Sequence, residues 1–154
     1  MGQTTSITLE ATDNSSWLDE FIDVYQRLNK DNLALLTRIY HFNVVFEDPL
    51  HRVTGRSALT EYFEHMYANV TSIEFDITDR FVSGNKAALY WTMTYQHSRL
   101  NGGCPIRVLG HSRLEMMDKK VIAHRDYFDL GQLLYEHIPL YGTTVRWLKK
   151  KASQ

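Results

Sequence analysis

Two acidic segments of this 154-residue chain carry side chains able to move a proton. In Phe46-Glu47-Asp48-Pro49-Leu50-His51, an acid stands just before a proline where the apolar run Phe42–Phe46 ends. A carboxylate at such a strand mouth can take a proton from an organic substrate, provided the fold closes a dry pocket over it. The second segment is His124-Arg125-Asp126-Tyr127-Phe128-Asp129. Strand alternation puts His124, Asp126 and Phe128 on one face and Arg125, Tyr127 and Asp129 on the other. Phe128 belongs with apolar residues that should line a cavity, so the first set is expected to face in, with Asp126 and His124 about 7 Å apart at Cα. A base works best with its pKa near the operating pH, and desolvation among aromatic side chains moves a carboxyl that way. Trp91, Met93 and Tyr95 would supply the apolar lining. The roles expected are Asp126 as base, His124 as its acid partner or a hydrogen bond to substrate, Tyr25 and Tyr95 as donors to a carbonyl oxygen, and Asp48 as a second acid or positioning group.

Each reading has a plainer rival. Asp and Pro favour chain reversals, so Asp48-Pro49 can be a turn and no more. Asp126 beside Arg125 and His124 can be a satisfied polar cluster that fixes strand register. His51, in a polar loop, and His111, on the strand face opposite the pocket, read as structural, and His41, His65, His97 and His137 share no spacing and read as surface or core residues. A His124/Asp126 pair lacks a third ligand at any recognisable spacing, so no metal is expected. Cys104 follows Gly102-Gly103 without a neighbouring base, which argues against a nucleophile. No glycine pattern suits a nucleotide loop, and no cofactor is expected.

The elements that must position these residues follow from periodicity. Ser15 and Ser16 offer an N-cap, Asp19 and Glu20 suit the first turn, and Trp17, Phe21, Val24, Tyr25 and Leu28 have helical spacing. Asn29-Lys30-Asp31-Asn32 breaks that helix, and Leu33, Leu36, Ile39 and Tyr40 mark a second ending near His41. After a strand over 42–47, Gly55-Arg56-Ser57 opens a third helix with Ala58, Leu59, Tyr62, Phe63 and Met66 as its apolar face. The period then changes to two, in Ile73-x-Phe75-x-Ile77, in Leu89, Trp91, Met93 and Tyr95, and in Val108 and Leu114. Turns are expected at Ser83-Gly84-Asn85, Asn101-Gly102-Gly103 and Asp118-Lys119-Lys120. Helices followed by long strands predict an α+β domain in which helices cover one face of a bent antiparallel sheet, leaving a cone with a pocket. Residues 1–15 read as an arm, 16–138 as the domain, and 139–154 as a basic helical tail split by Pro139 and Gly142, with Lys149–Lys151 as solvated cations at a helix end.

Composition narrows the function classes. The length suits one domain, and 44% apolar residues with nine Tyr, seven Phe and three Trp suit a folded core or a lined cavity. A net charge of -1 provides no field for nucleic acid or an anionic membrane. A single cysteine rules out an internal disulfide, and no apolar stretch approaches the roughly 20 residues of a spanning helix, so the cytoplasm is the expected compartment.

Together, Asn29 to Leu33 between the helices, Phe46-Glu47-Asp48-Pro49, Gly55 opening the third helix and the closing strand Val121 to Asp129 resemble the nuclear-transport-factor-2-like superfamily, in its SnoaL-like and ketosteroid-isomerase-related branch, over residues 16–138. The resemblance implies a cystatin-like, cone-shaped α+β fold with a curved antiparallel sheet packed against three N-terminal helices. In ketosteroid isomerases the Asp of the matching Asp-Pro is the base, which nominates Asp48. Their oxyanion is held by a first-helix Tyr and a protonated strand Asp. The matching positions here are Val24 and Gly110, and Tyr25, one residue off, should point about 100° away around the helix. Losing one such donor costs about 10²-fold or more, so steroid isomerisation is not the expected activity. SnoaL-like cyclases place a carboxylate on a late strand, which nominates Asp126. The resemblance implies a small apolar organic ligand, with cofactor-free isomerase, cyclase or hydrolase-type chemistry as one expectation. A non-catalytic ligand-binding or assembly module is the other, with a homodimer formed through an outward sheet face carrying Tyr90, Tyr127 and Val121.

Overall fold

The computed structural model describes residues 16–138 and 141–152. The expected arm, its Ser15 cap and Pro139 lie outside them. Helix α1 (Ser16–Arg27) buries Trp17, Leu18, Phe21, Val24 and Tyr25, a stripe wide enough to carry adjacent residues inward. Tyr25 is therefore not turned away from the interior. The predicted second helix is shorter than its periodicity suggests. A 3-10 turn over Leu33–Leu35 runs into a one-turn helix α2 (Leu36–Ile39), and Tyr40 is already extended, opening strand β1 (Tyr40–Glu47). Tyr40 is fully buried and pairs with Val121, so tertiary packing overrides the local helical spacing.

Strand β2 (Arg52–Thr54), which the sequence periodicity does not single out, pairs with β1. Gly55 follows with φ +90°, a backbone that glycine alone adopts cheaply, and opens helix α3 (Arg56–Tyr67). That helix buries Leu59, Phe63 and Tyr67, whereas Ala58 is exposed, so its inner face is rotated from the predicted one. Four long strands complete the sheet: β3 (Val70–Ser83), β4 (Lys86–His97), β5 (Ile106–Met117) and β6 (Lys120–Phe128). The β5–β6 hairpin turns at Asp118 and Lys119, both with positive φ, as a tight two-residue hairpin requires.

The strands order as β2-β1-β6-β5-β4-β3 in one curved, unclosed α+β sheet. All neighbours are antiparallel except β1 and β6, which run parallel. In β6 the register shifts at Ile122, the extra residue between the Glu115–Ala123 and Met116–Val121 pairs. This bulge returns Val121 to the core at 1% exposure, which corrects its expected place on the outer face. Downstream of it, His124, Asp126 and Phe128 face the helices as alternation predicts, and Arg125 and Tyr127 face out.

A four-residue helix α4 (Leu130–Leu133) follows β6, and helix α5 (Tyr141–Ala152) closes the described chain. Gly142 lies inside α5 instead of splitting the tail. Asp129 caps α4 by accepting from the Gly131 N–H at 2.7 Å and also accepts from Lys149 Nζ at 2.6 Å. The Lys149 hydrogen bond holds the Asp129 carboxyl below its usual range, so this lysine is a docking contact and not only a solvated cation. Trp147 and Leu148 remain exposed, with Lys151 Nζ 5.0 Å from the Trp147 ring centre. No helix among the described residues is long and apolar enough to cross a membrane.

Candidate active site

The concave face of the sheet carries a line of hydrogen bonds across four neighbouring strands. From β4, Trp91 Nε1–H donates to Ser112 Oγ on β5 at 2.9 Å. The Ser112 hydroxyl donates to Asp126 Oδ1 on β6. His124 Nε2 lies 2.7 Å from the same oxygen, and its Nδ1 lies 2.6 Å from the Tyr40 hydroxyl of β1. One proton arrangement satisfies every group: Tyr40 donates to Nδ1, which leaves the proton on Nε2 to be given to the Asp126 carboxylate. Tyr25 stands beside Tyr40; burial above all pushes the hydroxyls of both tyrosines well up, so both stay protonated.

Both donors meet Oδ1. Oδ2 takes no hydrogen bond from any described residue. The Trp17 indole nitrogen is the one fully buried side-chain polar atom without a partner among the described residues, so Oδ2 opens onto space and not onto packed protein. That space is a chamber of about 70 Å³ between the sheet, α1 and α3. Asp126, Asp48, Tyr25, Trp91, Met93 and Phe128 all contribute to its wall, so six of the eight residues nominated from sequence converge there. It continues into an apolar vestibule of about 190 Å³, with Met66, Met93 and Leu133 shared between the two.

The other two nominees are placed differently. The His124 side chain is fully buried behind Asp126, enclosed by Phe21, Tyr40 and Phe46, and is not part of the chamber wall. From there it is within hydrogen-bond distance of the carboxylate it stands behind. Tyr95 lines the vestibule, and its hydroxyl donates to the Leu133 carbonyl, so it is already committed. Asp48 is the turn that its sequence suggested as well as a wall residue. Its Oδ1 accepts from the backbone N–H of Leu50 and His51 at 2.7 and 2.8 Å, and its Oδ2 accepts from the Tyr62 hydroxyl. Arg125 points outward, 3.4 Å from Glu47 and over the Tyr127 ring, and takes no part in the Asp126 cluster.

Sequence reasoning missed Ser112, Tyr40, Tyr62 and Tyr67. Ser112 was legible, because it continues the inward alternation of Val108 and Leu114 and is cross-strand neighbour to Asp126. Tyr67 stands four residues after Phe63 and eight after Leu59, the spacing that extends a helix face. Among the described residues no three His, Cys, Asp or Glu side chains converge as a metal site would require. A depression of about 330 Å³ on the outer side is walled by Glu47, Arg52, Arg113 and Arg125; Glu47 already pairs with two of those arginines.

Gly110 faces the same interior. A Cβ there would stand 2.3 Å from Cη2 of the Trp91 indole, which lies flat over the glycine. The position that would match a protonated Asp in ketosteroid isomerases is thus covered by a ring. Gly110→Ala is expected to cost about 1–3 kcal/mol in a urea titration by forcing Trp91 off Ser112. An unchanged midpoint would mean that the indole can move freely.

A family model described as a SnoaL-like domain matches residues 21–124. No curated protein matches the chain. Among solved structures, a candidate SnoaL-like polyketide cyclase from Jannaschia sp. CCS1 superposes with a TM-score of 0.68 at 12% identity, over 86% of this chain and 95% of that one. A hypothetical protein with a ketosteroid isomerase-like fold from Catenulispora acidiphila DSM 44928, in complex with trimethylamine, gives 0.62 at 16% identity over 84% and 92%. An LEH-like epoxide hydrolase of M. tuberculosis gives 0.63 at 18% identity over 77% and 84%. At these identities the likeness shows the fold, which is nuclear-transport-factor-2-like.

Proposed function

Because the chain belongs to the SnoaL-like domain family, we propose that it binds a small, largely apolar organic molecule inside the cone and catalyses cofactor-free proton transfer on it, with Asp126 as the base. The observation that carries this reading is the asymmetry of the carboxylate: Oδ1 is held by Ser112 and His124, while Oδ2 is left without a partner on an apolar chamber. Holding one oxygen fixes the direction of the other, which is what positioning for proton abstraction requires. His124 and Tyr40 are positioning residues in this scheme, and Asp48, with both oxygens occupied, shapes the chamber mouth. The chamber is smaller than the roughly 300–1,000 Å³ of pockets that hold drug-sized ligands, which favours a compact reacting group with its apolar remainder in the vestibule. The flexible thioethers of Met66 and Met93 between the two can adapt to such a ligand.

The test is α-proton exchange of acetophenone in D2O, followed by NMR with and without the protein. Catalysed exchange by the wild type that disappears in Asp126→Asn supports the assignment, and equal exchange by both proteins rejects it.

The homodimer reading has its own support. On the outer face, His111 stacks between Tyr127 and Tyr90, at centroid distances of 4.7 and 5.3 Å, and Leu109 and Phe81 beside them are exposed. An aromatic patch of this kind suits a self-complementary interface. Sedimentation equilibrium is expected to give twice the chain mass for the wild type and the chain mass for Tyr127→Asp. A monomeric wild type at micromolar concentration would reject the dimer.

A further inference from the structure

Three tyrosines, Tyr25, Tyr67 and Tyr95, line the two chambers, Tyr40 and Tyr62 stand beside residues of the inner one, and three of these five hydroxyls are already hydrogen-bonded within the protein. Tyr40 donates to His124, Tyr62 donates to Asp48 and Tyr95 donates to the Leu133 carbonyl. Of the other two, Tyr25 lies against Tyr40, and Tyr67 stands in the last turn of α3. It is 2% exposed, its ring stacks on Phe63 with a 5.8 Å centroid separation, and it contributes to the walls of both chambers. No described residue hydrogen-bonds its hydroxyl, which is nevertheless not sealed in packed protein. A buried phenol without a partner costs stability, and such a cost is commonly retained where the group serves a ligand.

We infer that Tyr67 is a catalytic residue of the same site, donating its hydroxyl proton in a hydrogen bond to the carbonyl oxygen of a substrate whose α-carbon faces Asp126. The inference rests on the proton-transfer reading of Asp126 and adds a substrate class to it, namely ketones or related carbonyl compounds with an acidic α-hydrogen. In the step implied, the α-carbon proton passes to Asp126 Oδ2, and the C–H electron pair becomes the enolate double bond. The carbonyl π pair moves onto the oxygen held by Tyr67, and return of a proton from Asp126 to carbon closes the cycle. Tyr67 feels the Asp126 charge, and burial with that charge keeps its proton in place at neutral pH, so it acts as a hydrogen-bond donor and not as an anion. The donor expected at Val24 or Gly110 by family resemblance is thereby supplied from a different helix.

Acetophenone is the probe: its acetyl group suits the inner chamber and its ring the vestibule. Its carbonyl stretch is expected to move to lower frequency on binding to the wild type, and to return toward the unbound position in Tyr67→Phe. Catalysed α-proton exchange should fall by about 10²-fold or more in the same variant, mainly in kcat. Tyr67→Phe removes only an unpartnered oxygen, so its melting temperature should be unchanged or raised by up to about 3 °C. An equal carbonyl shift in wild type and Tyr67→Phe would overturn the donor role, even if Asp126→Asn abolished exchange. A lost shift with exchange untouched in Asp126→Asn would instead overturn the base and leave the donor standing. A lowered melting temperature would assign the hydroxyl a structural bond, and failure of acetophenone to bind would count against both residues.

Discussion

Asp126→Asn is expected to lower catalysed α-proton exchange by about 10²–10⁴-fold, the range that a positioned general base contributes, while leaving the fold intact. The substitution is nearly isosteric. An Asn carbonyl oxygen in place of Oδ1 can still accept from Ser112 and His124, and the new amide would occupy the side that Oδ2 turns to the chamber. Unfolding in urea should therefore change by about 1 kcal/mol or less in either direction. The two measurements separate the rival accounts of this residue. A loss of about 3 kcal/mol or more would mean that the negative charge itself holds the strands together, with function incidental. Retained exchange activity would mean that the base is elsewhere, and Asp48 would be the next carboxylate to examine.

The largest stability effect is expected at His124. His124→Ala should cost about 3–5 kcal/mol, because it opens a cavity among aromatic rings, orphans one buried hydroxyl and strips a carboxylate oxygen of one of its two donors. Its side chain is fully buried, and Phe46 and Phe21 stand 4.9 and 5.6 Å away by ring centroid. Removing the imidazole leaves the Tyr40 hydroxyl without its acceptor and Asp126 Oδ1 with Ser112 alone. Urea unfolding of the variant measures the loss, and a cost below about 1 kcal/mol would show that the histidine is not bearing the packing assigned to it.

The sequence was informative where a side chain's direction follows from period alone. Leu89, Trp91, Met93 and Tyr95 alternate without interruption and are all buried, and His124, Asp126 and Phe128 share the inner face after Ile122. Period fails at irregularities. The extra residue at Ile122 reverses Val121, and Tyr40 looks helical by spacing but belongs to a strand because its partner is 84 residues away. The same limit applies to the site. Asp126 and Asp48 could be nominated as acids, but which oxygen is free and which tyrosine is uncommitted depend on neighbours that only the folded sheet supplies. Tyr95 was a reasonable donor by type, yet its hydroxyl is spent on the Leu133 carbonyl.

The hydrogen-bond line from Trp91 through Ser112, Asp126 and His124 to Tyr40 joins residues separated by 21, 14, 2 and 84 positions. Its longest link closes across the parallel β1–β6 pairing, the kind of non-local contact that carries a large loop-closure entropy and slows folding. No excised hairpin contains the whole line: the β5–β6 hairpin holds Ser112, His124 and Asp126, but an intermediate lacking the β1–β6 pairing leaves His124 without the Tyr40 hydroxyl that backs it. If Asp126 is the base proposed above, the line that backs it is complete only once β1 has docked beside β6, so full activity of a newly made chain would wait on closure of the sheet.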